Sequence, residues 1–84
     1  MNYVYILQSY KDDKLYIGST NNLKKRLVEH NSGKSKSTKS RKPFKLLYYE
    51  AFITEEEAFK KEKFYKSGRG HEVIYNMLFK SLPR

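Results

Sequence analysis

Tyr3-Val4-Tyr5-Ile6-Leu7-Gln8-Ser9 and Lys14-Leu15-Tyr16-Ile17-Gly18-Ser19 are the two runs that decide the fold. Both are rich in the β-branched and aromatic residues that suit a pleated, half-buried surface. The residues between them, Tyr10-Lys11-Asp12-Asp13, are polar and turn-prone, so the pair reads as a β-hairpin. Side chains alternate along a strand. Tyr3, Tyr5 and Leu7 therefore point one way, and Val4 and Ile6 the other. In the second run Leu15 and Ile17 oppose Tyr16 and Gly18. Neither face is polar, so both are expected to be at least partly covered. A hairpin sets its strands side by side, which puts Tyr5 and Tyr16 on one small patch. Gly18 leaves space beside them, room for a backbone or a phosphate to approach.

Downstream of the hairpin, Ser19-Thr20-Asn21-Asn22 offers several helix N-caps. A helix is expected from about Leu23 to Asn31. At ~100° per residue, Leu23, Leu27, Arg26 and His30 are angular neighbours. The leucines pack inward, and Arg26 and His30 lie one turn apart on the edge of that stripe. Asn31-Ser32-Gly33 is a stop signal, with Gly33 suited to a left-handed cap. Ser32 to Pro43 then changes character. It is Ser, Lys and Arg with one Thr, one Gly and one Pro. Such a segment buries nothing and reads as a mobile loop. Lys34, Lys36, Lys39, Arg41 and Lys42 make it either a solvated linker or an arm that tracks phosphates, and the absence of acids favours the arm.

Phe44 to Phe52 reads as a third strand, paired with the hairpin. Thr54 followed by Glu57 is a capping-box pattern that starts a second helix, expected to end near Lys66. Ser67-Gly68-Arg69-Gly70 reads as a break, and Val73, Ile74, Met77 and Leu78 place a last helix between His71 and Leu82. The fold class is thus α/β: a small three-stranded antiparallel sheet with about three helices, in one domain spanning 1–84. On the second helix Glu62 falls within the inward stripe, between Ala58 and Tyr65. An acid there is either paired, with Lys66 or Arg26, or it binds a cation. Phe64 falls on the polar side, where the pattern gives it no role.

Composition narrows the function. The chain has 84 residues, 18 Lys and Arg against 9 Asp and Glu, and a formal charge of +9. That excess in so short a chain points to a polyanion, nucleic acid above all. There is no cysteine, so disulfides and thiolate metal sites are excluded and a reducing, cytoplasmic location is expected. No apolar run approaches the ~18 residues of a membrane span, and no signal-peptide pattern opens the chain.

Tyr3-Val4-Tyr5, Tyr16-Ile17-Gly18, the Arg26-to-His30 helix, Asn31-Ser32-Gly33, Leu46-Leu47-Tyr48-Tyr49-Glu50 and Ala58-Phe59-Lys60-Lys61-Glu62-Lys63 together resemble the GIY-YIG nuclease domain. The likeness is to its small standalone bacterial members and, more distantly, to the N-terminal nuclease domain of excinuclease C and certain homing endonucleases. It covers nearly the whole chain. The resemblance implies a nuclease that hydrolyses phosphodiester bonds in DNA with one divalent cation, Mg²⁺ or Mn²⁺, with a role in DNA repair. It implies Glu62 as the metal carboxylate and Tyr16 as general base on water, with Tyr5 beside it. Arg26 would neutralise transition-state charge and His30 would relay a proton or grip phosphate. Gly18 and Asn76 would support the site. A tyrosine near pKa ~10 is a poor base at neutral pH unless positive charge favours the phenolate, and His30 is a rival for that role. The first motif departs from the family name, with Tyr3 for glycine and Val4 for isoleucine. The basic loop lacks the aromatic residue that often follows its lysines in relatives. The alternative is a non-catalytic nucleic-acid-binding module of the same fold.

Overall fold

The computed structural model describes residues 1–78 and 80–82. Strands β1 (Asn2–Ser9) and β2 (Leu15–Thr20) form the hairpin, and β3 (Phe44–Phe52) adds to it. All pairings are antiparallel and the order is β2-β1-β3, so β1 is central. The register sets Tyr5 opposite Gly18 and Leu7 opposite Tyr16. The hairpin turn is built around Ser9. Its hydroxyl accepts from the amides of Lys11 and Asp12 and donates to the Arg41 carbonyl at 2.5 Å.

Both sheet faces are covered, as the lack of a polar face requires. On one, Val4, Ile6 and Ile17 pack against Tyr65 and Ile74. On the other, Tyr5, Leu7 and Phe44 pack against Tyr16, Leu23 and Leu27. The second set lies beneath helix α1 (Leu23–Ser32), and the first beneath α2 (Glu55–Lys66) and α3 (Gly68–Leu78). Two thin cores thus share one central strand, which suits a chain too small for one thick core.

Local sequence explains the helix ends. The Asn22 side chain accepts from the Lys25 amide, and Gly33 closes α1 with φ 84. The Asn31 side-chain amide pairs with both the N–H and the C=O of Phe44, tying the end of α1 to the start of β3. Thr54 and Glu57 make the full capping box of α2. Ser67 ends α2, and its hydroxyl accepts from the Gly70 amide at the start of α3.

Three expectations need correction. The last helix begins at Gly68, not His71, and is followed to Leu78. Gly70 is buried inside its first turn, where a Cβ would lie 1.8 Å from the Phe64 carbonyl oxygen. The break falls at Ser67, between α2 and α3, and Gly70 lets the two helices pack closely. Phe64, which the periodicity left without a role, packs against the core that α3 completes. The Ser32–Pro43 segment also does bury something. Thr38 is fully buried, and a short 3₁₀ turn, Lys39–Arg41, follows it.

Candidate active site

The phenol of Tyr5 reaches across Gly18, on edge strand β2. A Cβ at Gly18 would stand 2.5 Å from Tyr5 Oη and 3.2 Å from the Tyr16 ring. The gap that the glycine leaves is therefore filled by Tyr5 itself. This corrects the expectation that it admits a ligand. Tyr5 and Tyr16 lie on the same face, their ring centroids 6.4 Å apart. Tyr5 is buried and its hydroxyl shares a 2.8 Å hydrogen bond with His30 Nε2. Burial pushes this phenol up to about 12, with Arg26 opposing the rise and Tyr16 and Glu62 adding to it. Tyr16 is only partly buried, and its hydroxyl makes no hydrogen bond among the described residues.

Helix α1 brings two groups. Arg26 is 38% exposed at its side chain, beside the Tyr5 hydroxyl, and its guanidinium donates to Glu29 Oε1 at 3.2 Å. Tyr5 is the main influence that holds it protonated, against the cost of partial burial. His30 is 0% exposed. Its Nδ1 pairs with Thr38 Oγ1 at 2.7 Å and its Nε2 with Tyr5. Burial, then the Arg26 charge, lowers its pKa, so a neutral ring is favoured. With both nitrogens taken and no exposed surface, His30 cannot grip a phosphate; only the relay expectation fits its position.

Helix α2 brings Glu62 from the opposite face, around the outer border of β2. Its Oε1 accepts from the Ser19 hydroxyl at 2.5 Å and its Oε2 from Lys66 Nζ at 2.6 Å. The Glu62 side chain is 14% exposed, that of Lys66 54%. Ser19 follows Gly18 directly, and the Glu62 charge acts on the Tyr5 phenol across the edge strand. An open polar cleft runs alongside, lined by residues that include Ser19, Asn22, Lys25, Arg26 and Glu29. The Glu62–Lys66 pair anticipated from the helix spacing is present, yet it uses only one carboxylate oxygen.

A hard cation takes oxygen ligands and keeps several waters. Glu62 is the carboxylate here that could hold such an ion, with its Oε2 paired to the exposed Lys66 ammonium. Among the described residues no group of three or more His, Cys, Asp or Glu side chains forms a cage of protein ligands.

The remaining candidates separate. Lys34, Lys36, Lys39 and Lys42 are exposed. Arg41 is not free in the same way: its guanidinium donates to Asp12 at 2.9 Å and to the Leu15 carbonyl at 3.3 Å, and lies over the Phe44 ring. It holds the loop to the hairpin. Asn76 is exposed on α3 and no hydrogen bond ties it to the cluster among the described residues. Val73, Ile74 and Leu78 take the inward side of that helix.

Sequence reasoning missed two residues. Ser19 was read as a cap candidate, although its place on the Ile17 face of β2 already aimed it at α2. Thr38 carried no signal, since nothing in a run of Ser and Lys marks the one hydroxyl that will meet a histidine.

The chain is similar to known proteins. The family model described as the GIY-YIG catalytic domain matches residues 1–76. A UPF0213 protein of Clostridium perfringens is 51% identical over 98% of this chain and 88% of its own length. One from Bacillus pumilus is 46% identical over 79% of this chain and 67% of its own. The solution NMR structure of a UPF0213 protein from Bacillus halodurans is similar with a TM-score of 0.56 and 41% identity, covering 92% of this chain and 85% of that one. Three antiparallel strands, the tyrosines on two of them and the helices on both sides fall inside the matched segment, and the chain belongs to the GIY-YIG family.

Proposed function

We propose that this chain is a divalent-metal-dependent endonuclease that hydrolyses phosphodiester bonds in DNA, working as one domain over 1–84 in the bacterial cytoplasm, in repair. Membership in the GIY-YIG family supports the reaction class. The observation that carries the finer reading is the meeting of Tyr5, Arg26 and Glu62 at Gly18–Ser19, each from a different element.

The geometry supports a division of labour between the phenols. Tyr5 is buried and bonded to His30, and its raised pKa keeps it protonated at neutral pH, so it is a held, neutral hydroxyl and not the base. Tyr16, whose hydroxyl has no hydrogen-bond partner among the described residues, has the better access to water, which favours it as general base. Arg26, partly exposed and firmly protonated, is suited to charge that builds on the phosphorus oxygens. Glu62 would hold the cation, which when bound supplies Lewis-acid stabilisation of the leaving 3′ oxygen.

The net charge of +9 and the exposed lysines suit backbone contact, with little readout of sequence. The test is incubation with supercoiled plasmid with and without Mg²⁺ or Mn²⁺. Nicking by the wild type that is lost in Glu62→Ala supports the nuclease. A mobility shift without nicking would favour the binding module instead.

A further inference from the structure

Thr38 is the exception in its segment. Lys36, Ser37, Lys39 and Ser40 around it are exposed, while Thr38 is 0% exposed. The segment is also fixed on the far side, where Arg41 pairs with Asp12 and the Arg41 carbonyl accepts from Ser9. The basic loop is therefore docked, and its innermost atom is a hydroxyl against His30 Nδ1.

A neutral imidazole has one N–H and one lone pair. His30 sits between two hydroxyls, Thr38 at 2.7 Å and Tyr5 at 2.8 Å, and either hydroxyl can donate or accept. Two arrangements follow. If Thr38 donates to Nδ1, then Nε2–H donates to Tyr5 Oη, and the Tyr5 proton is turned toward the Gly18 border. If Nδ1–H donates to Thr38, Tyr5 donates to Nε2 and offers the border a lone pair. The two arrangements hold the same protons and the same charge, and differ in which ring nitrogen carries one and in where the two hydroxyls point.

We propose that Thr38 is a positioning residue that acts through His30 to set the direction of the Tyr5 hydroxyl, and so couples the docking of the basic loop to the phenol at the site. This rests on the nuclease reading for its effect on rate, but not for its effect on the histidine. Lysines on both sides of Thr38 would engage phosphates in the same docked state that orients Tyr5. A loop lifted from the body would leave Nδ1 without its partner and Tyr5 without a set direction.

The test compares Thr38→Val, which keeps the shape and removes the hydroxyl, with Thr38→Ser, which keeps the hydroxyl. The first readout is the tautomer of His30, from its imidazole nitrogen shifts in the wild-type protein and both variants. The proposal expects a dominant tautomer in the wild type and in Thr38→Ser, and a changed ratio in Thr38→Val. The same ratio in all three would overturn it. The second readout is plasmid nicking. The proposal expects kcat to fall about tenfold in Thr38→Val with KM unchanged, as for loss of one oriented hydrogen bond, and to recover in Thr38→Ser. A loss confined to KM, or none in either constant, would overturn the coupling. Should the wild type fail to nick, the nuclease reading falls while the tautomer result still decides the role of Thr38. If Thr38→Val does not fold, Thr38→Cys, similar in size with a weaker hydrogen-bonding group, carries the same comparison.

Discussion

At the scale of single residues, Gly18 is where one added methyl has the sharpest consequence. Its Cβ would meet Tyr5 Oη at 2.5 Å and Tyr5 Cζ at 2.7 Å. Gly18→Ala must therefore push the Tyr5 ring away from both His30 and the border of β2. We expect a stability loss of about 1–3 kcal/mol, as for other overpacked sites, and a larger effect on nicking than on DNA affinity. Urea denaturation and a nicking assay on the same preparation check both; an alanine variant that cuts normally would show that Tyr5 need not sit there. His30 makes a different prediction. Its folded pKa lies below the ordinary 6.5, chiefly through burial. A depressed value favours the neutral ring in the folded protein. The associated stability is fully present above the unfolded pKa and is lost as pH falls through it toward the folded value. The urea midpoint of the wild type should drop as pH falls below about 6.5, and His30→Gln should flatten that part of the curve. An identical pH dependence in the variant would place the cause elsewhere.

At the scale of elements, the clearest local signals are the ones the fold uses. Thr54 and Glu57 form both bonds of the capping box, and Thr54→Ala should cost about 1 kcal/mol, readable as a lowered melting temperature with an unchanged far-ultraviolet spectrum. The hairpin, the bounds of α1 and the third strand were legible because each depends on residues close in sequence: alternation for strands, Asn22 and Gly33 for the helix. What was not legible depends on distant partners. The third strand was expected to pair with the hairpin, but nothing local says that it joins β1 and not β2. Gly68 and Gly70 look like a break in any local reading. Only the approach of α3 to the Phe64 carbonyl explains why Gly70 lies inside a helix. The site divides in the same way. Tyr5, Tyr16, Arg26, His30 and Glu62 could be proposed from pattern and resemblance. The Thr38 hydroxyl behind His30 and the Ser19 hydroxyl on Glu62 needed the tertiary fold. Asn76 is exposed on α3, with no hydrogen bond to the cluster among the described residues.

At the scale of the whole molecule, the charge is carried unevenly in use if not in number. Lys34, Lys36, Lys39 and Lys42 are exposed, while Arg41 is spent on Asp12 and Leu15. Removing charge at Lys34, Lys36 and Lys39 should flatten the salt dependence of DNA affinity by ~0.9 per lost phosphate contact and leave stability nearly unchanged. Arg41→Gln should do the reverse, lowering stability by about 1 kcal/mol with little change in slope. Titrations at several salt concentrations, paired with thermal melts, separate the two. The order of strands also bears on how the protein is made. Translation produces the middle of the sheet before either border, and the hairpin can close once Thr20 has left the ribosome. One side of the Val4–Ser9 ribbon then waits for Phe44–Phe52. Glu62 emerges later still, so on the nuclease reading proposed above a nascent chain carries its basic loop before it has its metal carboxylate.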